Sequence, residues 1–139
     1  MYELEFTKNP TPHEVEALTN GISENAIEIK GIALQVQPFG FFYKNAQGIV
    51  LAGCHGEICY QSMYISQLWV SKNLRHQGLG TLLMQKAEAF TKDSNCKMLS
   101  INTMDWEAES FYKNLGFKVD FKRSGYEKNS NMLFLSKIL

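Results

Sequence analysis

The sequence has no net charge and no long hydrophobic run. Its 14 Lys and Arg residues are balanced by 14 Asp and Glu residues. A balanced chain lacks the broad positive field that drives non-specific binding to nucleic acid or to anionic membranes. No apolar run approaches the roughly 20 residues that a transmembrane helix requires. We therefore expect neither a nucleic-acid nor a membrane partner, and any anion must be bound by local groups.

Cysteine is also scarce, and its pattern argues against two further classes. The chain has three cysteines, with no Cys-x-x-Cys spacing and no leader peptide that is first charged and then apolar. We expect reduced thiols and a cytoplasmic protein. Cys54, His55 and Cys59 are near neighbours in the sequence. Cys54 and Cys59 have opposite parity along a strand and would face opposite sides, so we expect no metal site.

The length of 139 residues suits a single domain that spans residues 1–139. No repeat, low-complexity tract or flexible linker interrupts it. Tyr2, Leu4 and Phe6 alternate with polar residues and predict a first strand. Thr11, followed by Pro12 and then by Glu14, predicts a helix start. The segment 45–48 predicts a hairpin turn between two strands.

Further along the chain, strands and helices alternate. The patterns predict strands at 63–70 and 98–102, helices at 79–92 and 106–115, and two strands at the end. Gly116 predicts the end of the second of these helices. The class is α/β, in the α+β sense, with a mixed and mostly antiparallel sheet.

The most informative stretch joins the strand at 63–70 to the helix at 79–92. Arg75, Gly78 and Gly80 lie in the turn between them. Two glycines leave the first amides of the helix accessible, and these amides have no intrahelical partners. The helix dipole and the charge of Arg75 both attract an anion. The turn is therefore a candidate phosphate site.

A second block follows at residues 102–117, with the sequence NTMDWEAESFYKNLGF. Together, the Arg-x-x-Gly-x-Gly turn and this block resemble the GNAT superfamily of acyl-CoA-dependent N-acyltransferases. The resemblance implies a single GNAT-like domain with about six to seven strands and about four helices. It also implies that the fourth and fifth strands splay apart.

The resemblance further implies acetyl-CoA as a cosubstrate. The pyrophosphate would lie on the amides of the turn, and the pantetheine arm would run beside the fourth strand. The expected cofactor-binding residues are Leu68, Trp69, Val70, Arg75, His76, Gln77, Gly78, Leu79, Gly80, Thr81, Asn102, Ser110, Phe111, Tyr112 and Lys113.

By the same resemblance, the chain transfers an acetyl group from acetyl-CoA to a primary amine by direct attack in a ternary complex. Tyr112 is the candidate acid, because a phenol with a pKa of about 10 stays protonated at neutral pH and can protonate the leaving thiolate. Relatives often carry a carboxylate base on the fourth strand, where this chain has Ser66 and Gln67. Glu57 is the candidate base in its place, with His55 as a second possibility.

Several alternatives stay open at this stage. The missing carboxylate makes a non-catalytic acyl-CoA-binding or sensor module the second hypothesis. A mononucleotide-binding protein is disfavoured, because the turn lacks the Gly-Lys-Ser/Thr ending of a P-loop. Asp105, Glu107 and Glu109 indicate a solvated first turn of a helix. Trp69 and Trp106 could line an acceptor groove or pack in a core. An exposed edge strand would allow a homodimer.

Overall fold

A computed structural model describes residues 1–139 as two compact units, residues 1–35 and residues 36–139. The single domain expected over the whole chain stays a prediction, and the two units are described separately. None of the helices combines the length and the apolar character that a membrane span requires.

The first unit contains one helix, α1, which spans Pro12–Lys30. The predicted start is confirmed, because Thr11 and Glu14 form a reciprocal capping box. The Glu14 amide donates to Thr11 Oγ1 at 3.1 Å, and the Thr11 amide donates to Glu14 Oε1 at 2.9 Å. Gly31 ends the helix in a left-handed conformation with φ 71°, and its amide donates to the Ile27 carbonyl.

The strand predicted from Tyr2, Leu4 and Phe6 is wrong. Residues 1–10 contain no helix or strand. Alternation of apolar and polar side chains gives a strand only where a second strand supplies hydrogen-bond partners for the backbone. Residues 1–35 contain no strand that could do so.

The second unit is built on a six-stranded sheet with the spatial order β1-β2-β3-β4-β6-β5. Four neighbouring pairs are antiparallel, and only β3 and β4 are parallel, which confirms the predicted mixed sheet. The strands are β1 Gln37–Lys44, β2 Val50–Cys59, β3 Ser62–Val70, β4 Met98–Met104, β5 Lys118–Tyr126 and β6 Ser130–Ile138.

The predicted hairpin turn between β1 and β2 is also confirmed. Asn45 Oδ1 accepts hydrogen bonds from the amides of Gln47 and Ile49, both at 3.0 Å. Gly48 has φ 80°, a left-handed conformation that glycine adopts without steric cost. An Asn side chain that mimics a backbone turn explains why this short segment could be recognised from sequence.

Parallel strands cannot be joined by a tight turn, and helix α2, Leu79–Asp93, makes the crossover from β3 to β4. Leu83, Met84 and Ala87 on its buried face belong to the main core cluster, and Thr91 on the same face is also buried. The prediction of a helix at 79–92 is confirmed to within one residue.

The next helix, α3, is shorter than predicted. It spans Glu109–Asn114, whereas the pattern predicted residues 106–115. A turn stands where the first helical turn was expected. The Glu107 amide donates to the Met104 carbonyl, and the Met104 amide donates to the Glu107 carboxylate, both at 3.0 Å. Asp105 lies beside β6, where its carboxylate accepts a hydrogen bond from the Asn131 side chain at 2.8 Å.

The pairing of β3 with β4 ends early. It begins at Ser62 opposite Met98 and ends at Ile65 opposite Ile101. Beyond this point β3 remains paired with β2, while β4 remains paired with β6. The register of β2 against β3 also shifts between His55 and Gly56, next to the point of separation. The splay was predicted between the fourth and fifth strands, which are β3 and β4 here because no strand forms at residues 2–6. The predicted splay is therefore confirmed.

The ion pair between α2 and β6 gives a test of the packing of α2. Lys137 Nζ donates to Glu88 Oε2 at 2.9 Å, and both side chains are 26% exposed. This hydrogen bond is the main reason why the pKa of Glu88 lies below its ordinary value. A lowered pKa means that the stabilisation is present above the ordinary pKa and is lost as the pH falls through the lowered value.

We expect Glu88→Gln to lower the free energy of unfolding by about 0.5–1 kcal/mol at neutral pH. The difference between wild type and variant should disappear on acidification, because both side chains are then uncharged. Urea unfolding at neutral pH and at a pH below the lowered pKa of Glu88 measures both values. A difference that does not change with pH would contradict the assignment.

Candidate functional site

The separation of β3 and β4 opens a cavity of about 530 Å³. Its walls are the separated strand segments, Ser66 to Trp69 on one side and Ile101 to Thr103 on the other. Glu107, Ala108 and Tyr112 reach it from the α3 region. We call this space the strand cavity. It lies entirely within the second unit of the chain.

Two further cavities follow it toward α2. The helix cavity, of about 590 Å³, shares Leu68, Trp69, Glu107, Ala108 and Tyr112 with the strand cavity. The turn cavity, of about 260 Å³, lies at the start of α2 and shares Val70, Arg75, His76, Gly80 and Phe111 with the helix cavity. The three spaces thus form a row from the separated strands to the Gly-rich turn.

The turn that begins α2 is open to a ligand. Gly78 is the N-cap residue with φ 80°, and no side chain caps the first amides of the helix. A Cβ placed on Gly78 would meet no atom within 4 Å. His76 also has a positive φ of 61°, so the backbone curls before the helix begins. Exposed amides in a curled turn, at the positive end of a helix dipole, form a site for an anion.

Arg75 adds a positive charge beside this turn. Its Nε donates to the Val70 carbonyl at 3.0 Å. The bond ties the guanidinium to the end of β3, so the charge stays at the turn cavity, which Arg75 lines. Gly80 faces the same cavity, and an added Cβ there would come within 3.4 Å of the Phe111 ring.

The structure brings all but two of the expected cofactor-binding side chains to the row of cavities. The Gln77 side chain instead donates to the Asn73 carbonyl at 3.3 Å. Lys113 forms an ion pair with Glu109. Neither lines a cavity. The Lys113 side chain is exposed to solvent on α3. The roles of the others stay predictions.

Tyr112 lies where the strand cavity and the helix cavity meet. Its side chain is only 4% exposed, and its ring packs edge-on against Phe111 and Phe117. Burial raises the pKa of Tyr112 far above its ordinary value, and the nearby negative charge of Glu107 adds to the effect. A tyrosine is protonated at neutral pH even at its ordinary pKa, so the phenol carries a proton here, and burial makes it a weaker acid than an exposed tyrosine.

The two candidate bases lie in different places. His55 lines the strand cavity, and its Nε2 lies 2.7 Å from the Gln67 side-chain oxygen on the neighbouring strand. Glu57 is two residues farther along β2, beyond the register shift, opposite Tyr64. It lines none of the three cavities. The structure therefore does not bring Glu57 to the reaction site that the sequence suggested for it.

Glu107 is the functional candidate that sequence analysis missed. It was interpreted as part of a solvated first helical turn, yet it lines both the strand cavity and the helix cavity. Its position depends on the turn that replaces the start of the expected helix. No local sequence signal distinguishes that turn from a helical one. Trp69 also lines both cavities, whereas Trp106 lines only the helix cavity, and its Nε1 donates to Ser130 Oγ at 3.0 Å.

The three cysteines show no feature of a reactive or metal-binding site. All three cysteines are free thiols. Burial raises the pKa of each thiol, so none has the lowered pKa of a reactive cysteine. No group of three or more His, Cys, Asp or Glu side chains is arranged to hold a metal ion.

Comparison with known proteins places this geometry in a family. A family model described as the acetyltransferase (GNAT) domain matches residues 6–139. A curated relative, the blasticidin-S acetyltransferase of Streptomyces morookaense, is 30% identical over 74 residues. The match covers 52% of this chain and 54% of that protein, so the chain matches about half the length of the curated relative.

Solved structures show the same fold. An acetyltransferase of Bacillus cereus aligns with a TM-score of 0.79 at 23% identity, over 97% of this chain and 98% of that chain. A Bacillus anthracis structure in complex with acetyl coenzyme A aligns with a TM-score of 0.65 at 16% identity, over 74% of this chain and 63% of that one. Because the family model extends over nearly the whole sequence, this chain belongs to the GNAT family of acetyltransferases.

Proposed function

We propose that this chain is an N-acetyltransferase that transfers the acetyl group of acetyl-CoA to a primary amine. One observation carries the proposal: a row of three cavities joins an uncapped, Gly-rich helix start to a buried tyrosine. An acyl-CoA molecule has its anionic part and its thioester at opposite ends of a long arm, and the row of cavities matches that order.

The donor would lie along the row of cavities with its pyrophosphate at the turn cavity and its thioester near Tyr112. The amides that follow Gly78, together with Arg75, would hold the pyrophosphate. The arm would pass Val70 and Leu68 on β3. The β3 amides that point away from β2 have no strand partner there, because β4 has separated from β3. These amides are free to pair with the amides of the arm and to stabilise negative charge on the thioester oxygen.

The chemistry follows from these positions. The amine nitrogen attacks the thioester carbon, so a carbon–nitrogen bond forms and the carbon–sulfur bond breaks. The Tyr112 hydroxyl gives its proton to the departing thiolate and regains one from solvent. The proton lost by the amine leaves through water or a polar group of the strand cavity, where His55 is available. No covalent intermediate on the protein is required.

The sensor hypothesis is less favoured. A module that only binds acyl-CoA needs no room beyond the thioester, yet the strand cavity extends past Tyr112 to His55 and Phe42.

The name of the Streptomyces relative supports a small-molecule amine as the acceptor class. A cytoplasmic location stays a prediction. So does a homodimer, for which the sheet edges β1 and β5 are the candidate surfaces.

Donor binding gives the first test. We expect acetyl-CoA to bind in calorimetry and to raise the melting temperature, because a hundredfold excess over Kd stabilises by about 2.7 kcal/mol. Gly80→Glu should abolish both effects, since it places a bulky anion where the pyrophosphate would lie. Gly21→Glu is the matched control, because that helical position has no atom within 4 Å of an added Cβ and lies outside the cavities. If the wild type does not bind acetyl-CoA at millimolar concentration, the proposal is wrong.

The role of Tyr112 gives a second test. Tyr112→Phe keeps the packing against Phe111 and Phe117 but removes the proton donor. We expect kcat to fall by about 100-fold, in the range of general-acid effects, while the Kd for acetyl-CoA changes by less than about twofold. Steady-state CoA release and calorimetry measure the two quantities. An unchanged kcat would remove Tyr112 from the mechanism.

A further inference from the structure

Two aromatic side chains lie on one face of the sheet at the strand cavity. Phe42 on β1 is paired with Gly53 on β2, and Gly53 is paired with Trp69 on β3. Cross-strand partners project to the same face, so Phe42 and Trp69 stand on one side of the sheet with only a glycine between them. Both rings line the strand cavity and are about half exposed, at 53% and 50%.

The Phe42 ring lies flat on two glycines. A Cβ added to Gly40 would lie 2.5 Å from Phe42 Cε2, and one added to Gly53 would lie 2.7 Å from Phe42 Cδ1. Real Cβ atoms do not approach so closely, so this ring position requires glycine at both sites. We call the surface formed by Phe42, Gly53 and Trp69 the aromatic shelf. It provides an apolar surface on the wall of the strand cavity.

Glu107, which is exposed to solvent, supplies the opposite chemistry in the same cavity. It is the only Asp or Glu among the residues that line the strand cavity, and no Lys or Arg lines it. Its Oε1 accepts from the Met104 amide at 3.0 Å, which fixes the carboxylate at the cavity wall. Tyr112, the candidate acid, lines the same two cavities as Glu107, and the charge of Glu107 contributes to the raised pKa of Tyr112.

We propose that Glu107 binds the ammonium group of the acceptor and that the aromatic shelf binds the body that carries it. The acceptor is then an alkylammonium attached to an apolar or planar group. The inference rests on the proposed function, because it names the substrate class of the same site. The sequence had suggested Glu57 as the base, whereas this proposal makes Glu107 the carboxylate that meets the ammonium group. The exposed rings add apolar contact and attraction between a cation and a ring face.

Glu107→Gln tests the charge with little structural change. The side-chain oxygen of the introduced glutamine can still accept from the Met104 amide, so only the negative charge is lost. The acceptors are phenylethylamine, propylamine and aniline at neutral pH, where the first two are cations and aniline is neutral. We expect the variant to lower kcat/KM about tenfold for both cations and less than about twofold for aniline.

Two further variants separate this effect from others. Asp93→Asn removes one negative charge at the far end of α2, on an exposed residue, and should change none of the three values. Glu57→Gln tests the rival assignment, in which Glu57 rather than Glu107 binds the ammonium group. A selective loss with cations in that variant, and none in Glu107→Gln, would overturn the proposal. An equal loss for all three acceptors in Glu107→Gln would also overturn it.

Phe42→Ala tests the aromatic shelf. We expect it to lower kcat/KM for phenylethylamine about fivefold relative to propylamine, because only the former has a ring to lay on the shelf. Phe42→Leu, which retains apolar bulk, should recover part of that preference. Equal losses for the two amines would show that Phe42 does not contact the acceptor body.

The proposed acetyltransferase function and the inference about Glu107 can be tested separately. If wild type releases no CoA with any amine, the proposed function fails. Ammonium binding can still be measured without acyl transfer, by calorimetric titration of phenylethylamine into wild type and Glu107→Gln in the presence of CoA. Binding that is weakened about tenfold in the variant would support the inference even then. Equal binding by both proteins would overturn it.

Discussion

The separation of β3 from β4 is the constraint on which the site depends. Two parallel strands that stayed paired would satisfy each other's backbone groups and leave no room between them. Here the pairing stops after Ile65 and Ile101, and each strand keeps its other neighbour. The sheet therefore remains intact on both sides of the gap. The gap exposes unpaired β3 amides, which a ligand with its own amides could satisfy, and it admits Tyr112 from α3 to the space between the strands.

The parallel arrangement of β3 and β4 also explains why the Gly-rich turn lies beside the gap. A parallel connection requires a crossover, and α2 is that crossover. Its first turn must follow directly from the end of β3, so the uncapped amides after Gly78 arise next to the open strand edge. Arg75 ties the two together through its bond to the Val70 carbonyl. One topological requirement thus places a positive turn at one end of the row of cavities.

Charges of opposite sign line the two ends of the row, and the helix cavity between them is lined by Arg75 together with Asp105, Glu107 and Glu109. The whole chain is neutral, so it has no general attraction for either substrate. Arg75 and the helix start attract negative charge at the turn cavity, while Glu107 is the one carboxylate of the strand cavity. An anionic donor and a cationic acceptor would then enter from opposite ends and meet at Tyr112. The phenol between them is protonated at neutral pH.

Sequence by itself determined the features that depend on neighbours along the chain. The capping box at Thr11, the Asn45 turn, the Arg75–Gly80 turn and the amphipathic face of α2 are all set by contacts within a few residues, and all were predicted. Tertiary structure decided the rest. A strand at residues 2–6 needed partners that no local pattern can guarantee, and the long-range hydrogen bond between Asp105 and Asn131 holds the turn that replaces the first turn of the second predicted helix. That turn brings Glu107 to the strand cavity, while Glu57, which lies beyond a register shift, lines no cavity of the row. Periodicity reports which face of an element is apolar, but only the meeting of distant strands decides which carboxylate reaches the site.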